Sequence, residues 1–555
     1  MPSGLVNTSG KNFEIYYMQP WGGTADYANP VDIQPNELVV AQGVVAVDGE
    51  LSAVVLQADN DPNFVFITPH VANAVVILMW SMNGTMYCLD NFGNIYDNAI
   101  PGGGFLYVCS ASDGPWAGIN GFNAVGAVKV INGVAYVTIS PRTSVYSFTP
   151  TPTPVFALGS NFVGGLIFGV LDDYLVMLNC DQSVDGVSPS MISWSGPGEF
   201  TTWNPASNQL AGFNVLATID DQLTGFLSFA SVGVAISGKS LIELSPTGVG
   251  IGPFSFTTLW TSVVGQGSIY PLSVTQYGQQ GYLVTDSGVY SVSAGAGFSD
   301  ISQKAKASIL GSFQSPSFDS FNSITPYIAG NVLLSFYNLN YPTPYYVFNA
   351  PSTAAPGLYV VWFYDLTTGC WYSTTFDPAV LCNQQHSTAI PPRSLGPGTV
   401  SAAQTYTLQP LTPLGATFGA PFTPVTLVQF NVLFGGASFT VIAQFLLFNS
   451  RSVGQFSSDV TLNLTFRMEE IKLERKPTIR VVLVKAYGFG TLACFVGGKS
   501  FGSIVLNGSN TPTTYRTPSG VFTGEDPQLQ ITSNNFQGSI IKVMLGGSYG
   551  DGDID

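Results

Sequence analysis

Few residues of this chain are of the types that carry out acid–base or nucleophilic chemistry, and they are scattered. The 555 residues include two histidines, His70 and His386, and neither stands beside a nucleophile motif such as Gly-x-Ser-x-Gly. Two pairs of neighbouring carboxylates could act as a glycosidase acid and nucleophile. These pairs are Asp172 with Asp173 and Asp220 with Asp221. Adjacent residues of a strand point to opposite faces, so we interpret both pairs as turn residues and expect no enzyme.

Motifs for cofactors and metals are also missing from the sequence. The six cysteines show no Cys-x-x-Cys or Cys-x-x-His spacing, which is typical of buried free thiols rather than of a metal centre. The phosphate-binding pattern Gly-x-x-x-x-Gly-Lys-Ser/Thr does not occur. The stretch from Ser110 to Trp116 approaches the Ser-x-Asp-x-Gly-x-x-Trp box of propellers that cleave sialic acid, but its spacing differs and it occurs once. We expect no cofactor, no metal ion and no catalytic residue.

The composition predicts an all-β protein that is surrounded by other subunits. Hydrophobic residues make up 45% of the chain and charged residues 9%, with 61 glycines and 36 prolines, which is typical of short strands joined by tight turns. A surface so poor in charge is unusual for a free monomer. The net charge of −16 argues against a protein that grips phosphates, because nucleic-acid affinity rests chiefly on Lys and Arg. We expect neither a signal peptide nor a membrane span.

One strand pattern returns along most of the chain: an apolar run tipped by an aromatic residue, a turn with Gly or Asp, and a second apolar run. Copies occur at residues 86–96, 133–147, 173–177, 232–244 and 281–292. The copies recur roughly every 40 to 55 residues, which matches one four-stranded blade of a β-propeller. Alternation in 134–139 predicts a half-buried strand, whereas 332–337 and 358–364 predict strands buried on both faces.

These patterns divide the chain into four regions. Residues 1–51 are polar and turn-rich, and we predict an extended arm with brief strands there, since prolines disfavour a helix. Residues 52–385 form the β-propeller body of short antiparallel strands. Residues 386–424 form a connecting loop rich in Pro, Ser and Thr. Residues 425–555 form an additional C-terminal β-domain, which resembles a β-sandwich or completes the sheet of the main body.

Basic residues are concentrated in one part of the C-terminal region. Seven of the seventeen Lys and Arg residues fall within positions 467–499, where three glutamates are interleaved with them. Mixed charges of this kind form either a solvated, salt-bridged strand pair or a docking surface for an acidic neighbouring subunit. The docking candidates are Arg467, Lys472, Arg475, Lys476 and Arg480.

Three stretches of the sequence resemble the β-propeller tail nozzle proteins of short-tailed bacteriophages. Residues 29–38, Asn-Pro-Val-Asp-Ile-Gln-Pro-Asn-Glu-Leu, are similar to the arm that leads into the first blade of that family. Residues 193–205, Ser-Trp-Ser-Gly-Pro-Gly-Glu-Phe-Thr-Thr-Trp-Asn-Pro, resemble its mid-propeller turn, with Trp194, Gly196 and Trp203 as the signature residues. Gly-Glu at 198–199 stands where the family more often has Asp-Pro. Residues 265–271 with 285–290 look like the following blade.

The resemblance implies a structural protein of the virion tail, made in the host cytoplasm. Such a protein forms a ring, in this family a hexamer, that extends the portal channel, retains the packaged genome and conducts DNA at ejection. Its implied partners are other copies of itself, the adaptor or head-to-tail connector protein, and the tail fibres or needle. DNA is expected to pass through the channel without sequence-specific binding, and an acidic wall suits that passage.

A second reading of the same sequence is a phage tail β-protein that binds a receptor or glycan. In that reading, aromatic side chains stack on sugar rings at the surface. The candidates are Trp116, Trp203 and Trp371; the alternative for each is core packing or a turn anchor, since large aromatic residues dominate β cores.

Overall fold

The computed structural model describes most of residues 6–376 and 430–549. The longer stretches outside the described residues are 26–36, 57–69, 98–105, 117–124, 262–272, 314–328, 334–344, 377–429, 442–446, 450–461 and 467–476. The fold is all-β. Within these ranges the regular structure consists of 38 strands, one helical turn at Gln303–Ala305 and one short helix, α1 (Lys306–Ser312).

Five short strands come before the main body. They are β1 (Val6–Ser9), β2 (Asn12–Met18), β3 (Val40–Gln42), β4 (Val44–Val47) and β5 (Glu50–Leu56).

Five antiparallel four-stranded sheets then follow one another between residues 76 and 300, and each is one blade of a β-propeller-like body. Blade 1 consists of β6 (Val76–Met82), β7 (Thr85–Asp90), β8 (Asn94–Asp97) and β9 (Leu106–Ser110). Blade 2 consists of β10 (Val125–Ile131), β11 (Val134–Ser140), β12 (Val145–Thr149) and β13 (Val155–Ser160). Blade 3 consists of β14 (Val163–Leu171), β15 (Tyr174–Gln182), β16 (Gly186–Trp194) and β17 (Gly212–Val215). Blade 4 consists of β18 (Leu223–Phe229), β19 (Val232–Ser237), β20 (Ser240–Pro246) and β21 (Phe254–Thr261). Blade 5 consists of β22 (Thr275–Tyr277), β23 (Gln280–Thr285), β24 (Gly288–Ser293) and β25 (Gly297–Asp300).

The tight turns inside the blades follow from residues that tolerate a left-handed backbone. Asn132 and Gly133 join β10 to β11 with φ angles of 50° and 77°, as a two-residue type I′ hairpin turn requires. Asp172, with a φ angle of 50°, and Asp173 join β14 to β15. The interpretation of this carboxylate pair as turn residues is therefore confirmed, whereas Asp220 lies outside the described residues.

Neighbouring blades pack face to face through clusters of aliphatic and aromatic side chains. The first strands of the blades stand side by side in the order β6, β10, β14, β18, β22. Between blades 1 and 2, the rings of Trp80 and Tyr87 meet Phe148 edge-on at centroid distances of 5.9 Å and 5.1 Å. Burial of large rings in such pairs contributes both apolar area and favourable ring geometry.

A glycine allows blades 4 and 5 to approach each other closely. Gly225 lies in β18, and a Cβ atom there would stand 2.6 Å from Cγ2 of Val274, the residue before β22. We expect Gly225→Ala to lower the free energy of unfolding by about 1–3 kcal/mol, because the two strands would have to move apart. Gly311→Ala in α1 is the matched control, since a Cβ atom there meets nothing within 4 Å. A urea titration in which both variants behave alike would contradict this packing.

Four antiparallel strands follow α1 and form one end of a 16-stranded sheet that also contains the C-terminal strands; we call this four-stranded part the sixth sheet. Its strands are β26 (Ala329–Leu333), β27 (Tyr345–Pro351), β28 (Tyr359–Asp365) and β29 (Trp371–Phe376). One face packs on blade 5 and α1 through Tyr346 and Trp362. The opposite face packs on the C-terminal strands through Tyr345 and Phe363. The prediction of a strand buried on both faces is confirmed for residues 360–363.

The remaining strands build the C-terminal domain. They are β30 (Phe430–Phe434), β31 (Ala437–Val441), β32 (Leu447–Asn449), β33 (Leu462–Phe466), β34 (Pro477–Val496), β35 (Lys499–Arg516), β36 (Phe522–Thr523), β37 (Leu529–Ser533) and β38 (Gln537–Tyr549). The long strand β34 pairs with β35 along one edge and with β38 and β37 along the other. Its buried face packs against the sixth sheet, which makes the domain sandwich-like. The predicted connecting loop, 386–424, lies outside the described residues.

The described strands of the first 51 residues belong to the same sheet as the C-terminal strands. Strand β2 pairs with β38 from Asn12 opposite Ser548 to Met18 opposite Lys542. Strand β3 pairs with β33 and meets β29 in parallel where Gln42 stands opposite Ser373. The brief strands expected in this region are present, and they add to a sheet whose other members come from the far end of the chain.

Candidate functional site

Trp194 ends β16, whereas Gly196 and Trp203 lie in the loop that joins β16 to β17. Trp194 and Trp203 are 6% and 1% exposed. The indole N–H of Trp203 donates to the carbonyl of Phe200 at 3.0 Å, and that of Trp194 donates to Leu210 at 3.1 Å. The two rings enter different clusters: Trp203 packs between blades 2 and 3, and Trp194 between blades 3 and 4. The two tryptophans therefore connect blades 2, 3 and 4 through buried contacts.

Glu199, part of the Gly-Glu pair that stands where tail nozzle proteins more often have Asp-Pro, also stabilises this loop. Its Oε2 accepts a hydrogen bond from the side-chain amide of Asn208 at 3.0 Å. The preceding Gly198, with a φ angle of 70°, donates its backbone N–H to the carbonyl of Asp173 in the first turn of the blade. A Cβ atom at Gly196 would collide with the Asn208 amide. The signature thus encodes a tightly bonded turn.

Glu37, in the first stretch that carries the resemblance, joins the N-terminal region to the end of the propeller-like body. Its side chain is 2% exposed, and its Oε1 accepts a hydrogen bond from Nζ of Lys304 at 2.6 Å. Lys304 belongs to the helical turn after blade 5. Trp21, nearby in sequence, packs into the core beneath the sixth sheet. These contacts stabilise the fold by holding the N-terminal region against the end of the propeller-like body.

The three tryptophans considered for sugar stacking are all buried. Trp116 is 4% exposed, Trp203 is 1% exposed and Trp371 is fully buried. A ring with both faces covered by neighbouring side chains offers no surface to a sugar, because stacking requires an open face. Core packing, the alternative to sugar stacking, is therefore confirmed: Trp116 and Trp203 pack in the cores of the blades, and Trp371 packs between blade 5 and the sixth sheet.

A buried polar network is centred on Asp90, at the end of β7. Its carboxylate is fully buried and accepts four hydrogen bonds at 2.7–2.9 Å. The donors are the backbone N–H groups of Phe92 and Asn94, the side-chain amide of Asn94 and the hydroxyl of Tyr96. Burial raises the pKa of the Asp90 carboxyl, although the hydrogen bonds from Tyr96 and Asn94 oppose that shift. Because its donors come from the following turn and strand, Asp90 organises that hairpin.

The stability contributed by Asp90 should depend on pH. A carboxyl whose folded pKa is raised binds its proton more tightly when folded, so its contribution is greatest below the ordinary value of 3.8 and is lost as the pH rises through the raised value. The variant Asp90→Asn lacks this titration. We expect the unfolding free energy of the wild type to rise relative to that of Asp90→Asn as the pH is lowered from 7 toward 3.8. Urea titrations at several pH values measure it, and a difference independent of pH would contradict the assignment.

His70 is the described histidine, and it lies at the edge of this network. Its ring is exposed and stacks on Tyr107 with ring centroids 3.9 Å apart. Its backbone N–H donates to the hydroxyl of Tyr96, whose own proton goes to Asp90. The imidazole thus stacks rather than pairing with a nucleophile. In the part of the chain that the structure covers, no group of three His, Cys, Asp or Glu side chains could hold a metal ion. His386 is not among the described residues.

Of the five docking candidates, the structure describes Arg480. It lies in β34 with an exposed side chain, at a bulge where β34 and β38 shift register between Ile479 and Val481. Arg467, Lys472, Arg475 and Lys476 lie outside the described residues, so their role as a docking surface remains a proposal.

Two surfaces with exposed apolar side chains were not expected from the sequence. The first, the blade 3 rim, comprises the turn before β16, the start of β16 and the edge strand β17. Its exposed residues are Val184 (75%), Val187 (71%), Val215 (46%) and Phe213 (38%), with Asp181 directly opposite Val187. Valines that flank a hairpin turn, where polar residues normally stand, are the sequence signal that could have revealed it.

The second surface, the hairpin face, is the outer face of β34 and β35. Phe489 is 55% exposed and Val505 is 67% exposed, and Val505 stands opposite Thr491, two residues from Phe489. Alternate residues of β34 are buried from Val482 to Ala486 and again from Gly490 to Val496, on either side of a bulge at Gly488, and Lys485 and Phe489 are odd-numbered residues of the more exposed row. Lys499 is exposed at the hairpin turn.

The charge of the chain is distributed unequally between these two surfaces. Residues 143–238, which include all of blade 3, contain no Lys or Arg but seven Asp or Glu. The hairpin face lies in the region that holds seven of the seventeen basic residues. The blade 3 rim therefore carries an acidic side chain, Asp181, beside its apolar residues, and the hairpin face carries basic side chains, Lys485 and Lys499, beside its own.

Comparison with known proteins identifies no family for this chain. No known family matches it, and no curated protein does. Among solved structures, YCF48 from Cyanidioschyzon merolae is 8% identical, with 58% of this chain and 95% of that chain covered and a TM-score of 0.31. The Neurospora crassa Pan2 WD40 domain is 9% identical (59% and 89% covered, TM-score 0.30). An exo-β-1,3-galactanase from Phanerochaete chrysosporium is 12% identical (89% and 99% covered, TM-score 0.24). Likenesses at these TM-scores carry no argument about activity.

None of the helices in the described ranges has the length and hydrophobicity that a membrane span requires.

Proposed function

We propose that this chain is a structural subunit of a bacteriophage tail, a nozzle ring that extends the portal channel, retains the packaged genome and conducts DNA at ejection. The observation that carries the proposal is the presence on one chain of two exposed apolar surfaces, one bordered by Asp181 and the other by Lys485 and Lys499. A subunit with two complementary surfaces assembles with copies of itself, and a contact of this head-to-tail kind closes into a ring when the rotation permits. The three stretches that resemble tail nozzle proteins indicate that this ring is a tail nozzle.

The charge distribution suits a wall past which DNA slides. Residues 52–385 contain eighteen acidic and five basic residues. Tight DNA binding requires Lys and Arg that replace the counterions of the phosphates, and a surface with this balance lacks them. Repulsion between an acidic wall and the phosphate backbone keeps the passing duplex from adhering.

The remaining parts of the proposal follow from the resemblance. The ring is a hexamer that joins an adaptor or connector protein on the head side and tail fibres or a needle on the other side, in the virion tail. The chain is not an enzyme. The buried signature loop and the Asp90 network support this role, because they hold blades and hairpins together rather than presenting groups to a substrate.

Sedimentation velocity of the purified chain at several concentrations tests the proposal. We expect a discrete closed species of about six times the 58.8 kDa chain mass and no shift of added duplex DNA at physiological salt. A monomer at every concentration, or a protein that binds or hydrolyses polysaccharide, would contradict the nozzle role. Retention of duplex DNA would contradict the sliding wall.

A further inference from the structure

The blade 3 rim and the hairpin face have the composition of the two sides of one interface. Specific interfaces combine an apolar centre with polar groups at the rim, and complementary charge fixes orientation. On the blade 3 rim, Val184 and Val187 are the most exposed large apolar side chains of the described residues, and Asp181 borders them. On the hairpin face, Phe489 and Val505 form the apolar centre, with Lys485 in the more exposed row of β34.

We infer that the blade 3 rim of one copy docks against the hairpin face of a second copy of this chain. The inference rests on the proposed ring and names the surfaces that join its subunits. It assigns residues of blade 3, β34 and β35 to the subunit interface, in addition to the basic docking candidates found in the sequence.

Charge complementarity selects a second copy as the occupant of both surfaces. Asp181 stands beside the exposed valines of the rim, and the surrounding stretch of 96 residues, 143–238, has no Lys or Arg that could offset it. Two such rims would repel each other, so contact between identical rims is disfavoured. The hairpin face supplies the opposite charge within the same sequence, and each copy offers one surface of each kind. The contact is therefore heterologous, as a cyclic ring requires.

The apolar exposure also favours burial upon assembly. Large apolar side chains that are more than half exposed lose contact with water when a partner covers them, and this contributes favourable free energy in proportion to area. Energetic hot spots of interfaces lie at such apolar centres, and surrounding polar groups exclude water from them. Val187 on the rim and Phe489 on the hairpin are the residues at which a substitution should have the largest effect.

The test uses the full-length chain with one substitution on each surface. Val187→Lys places a positive charge on the rim, and Phe489→Lys removes the apolar centre of the hairpin face. Both side chains are largely exposed, so the folded subunit should be retained, which circular dichroism and thermal unfolding check. We expect each variant to raise the protein concentration for half-assembly roughly tenfold or more.

Matched controls place the same charge at other exposed apolar positions. Leu259→Lys lies in the edge strand of blade 4, where Leu259 is 40% exposed, and Val521→Lys lies in the C-terminal domain, where Val521 is 57% exposed. The inference predicts that both controls assemble like the wild type. If either control weakens assembly as much as Val187→Lys or Phe489→Lys, the named surfaces are not specific and the inference fails.

A mixture of the two variants distinguishes this contact from any other. A Val187→Lys copy keeps its hairpin face and a Phe489→Lys copy keeps its rim, so the mixture should form one-to-one pairs and no closed ring. Rings of wild-type stability formed by either variant alone would overturn the inference while the proposed function stands. A wild-type chain that never assembles would instead contradict the proposed function itself.

Discussion

Replacing Trp371 with alanine is expected to lower the free energy of unfolding by about 3–5 kcal/mol, the cost typical of truncating a fully buried large aromatic residue. Trp371 is fully buried in β29, and its indole N–H donates to the carbonyl of Ile301 at 2.8 Å. Its ring meets Phe348, Trp362 and Tyr364 at centroid distances of 4.8–6.2 Å. The backbone carbonyl of the same residue accepts a hydrogen bond from the N–H of Thr24. Trp371 therefore connects blade 5, the sixth sheet and the N-terminal region.

The conservative variant Trp371→Phe separates packing from hydrogen bonding at this position. It keeps an aromatic ring but leaves the carbonyl of Ile301 without this donor, so we expect a smaller loss than for Trp371→Ala. Chemical unfolding followed by far-ultraviolet circular dichroism measures both. A loss below about 1 kcal/mol for Trp371→Ala would mean that this ring is not a core residue, and it would reopen the glycan-stacking interpretation.

The variant Asp90→Ala is expected to lower the free energy of unfolding by about 2–4 kcal/mol. The substitution removes the acceptor of four hydrogen bonds at a fully buried position. Buried donors that lose their acceptor keep the cost of desolvation without a compensating bond, and several are affected together. The turn between β7 and β8 should loosen as a result.

Asp113→Ala provides the matched control in the same blade. Asp113 is exposed and its carboxylate accepts a hydrogen bond from the hydroxyl of Tyr146 at 3.0 Å. One hydrogen bond from the fully buried Tyr146 is lost at this site, against four at Asp90, so we expect a smaller loss, of about 1 kcal/mol. Hydrogen exchange of the β7–β8 hairpin should accelerate in Asp90→Ala and remain unchanged in Asp113→Ala. Unaltered exchange in Asp90→Ala would contradict its role in organising the hairpin.

The local patterns of the sequence predict the repeated body well. The recurring strand cassette corresponds to the blades because hairpins form between neighbouring segments, and Asn132 with Gly133 encodes a specific turn. The continuous apolar run in β28 correctly indicates burial on both faces, since blade 5 covers one side and the C-terminal strands cover the other. Such features depend on residues that are close in sequence.

Features that depend on distant pairing could not be predicted in the same way. The partner of β2 is β38, and nothing in residues 12–18 specifies a strand more than five hundred positions away. The burial of Trp203 was also beyond local reasoning, because the residues that cover its ring come from blade 2 as well as blade 3. The hairpin face emerges only when β34 and β35 are paired, since their sequences are apolar at outer as well as inner positions.

Electron micrographs of the purified full-length chain test the central claim most directly. The nozzle account predicts closed rings with six-fold symmetry, with an axial channel wide enough for duplex DNA and subunit contacts between the propeller-like body of one copy and the C-terminal domain of the next. Trimeric spikes or isolated monomers without a channel would contradict it.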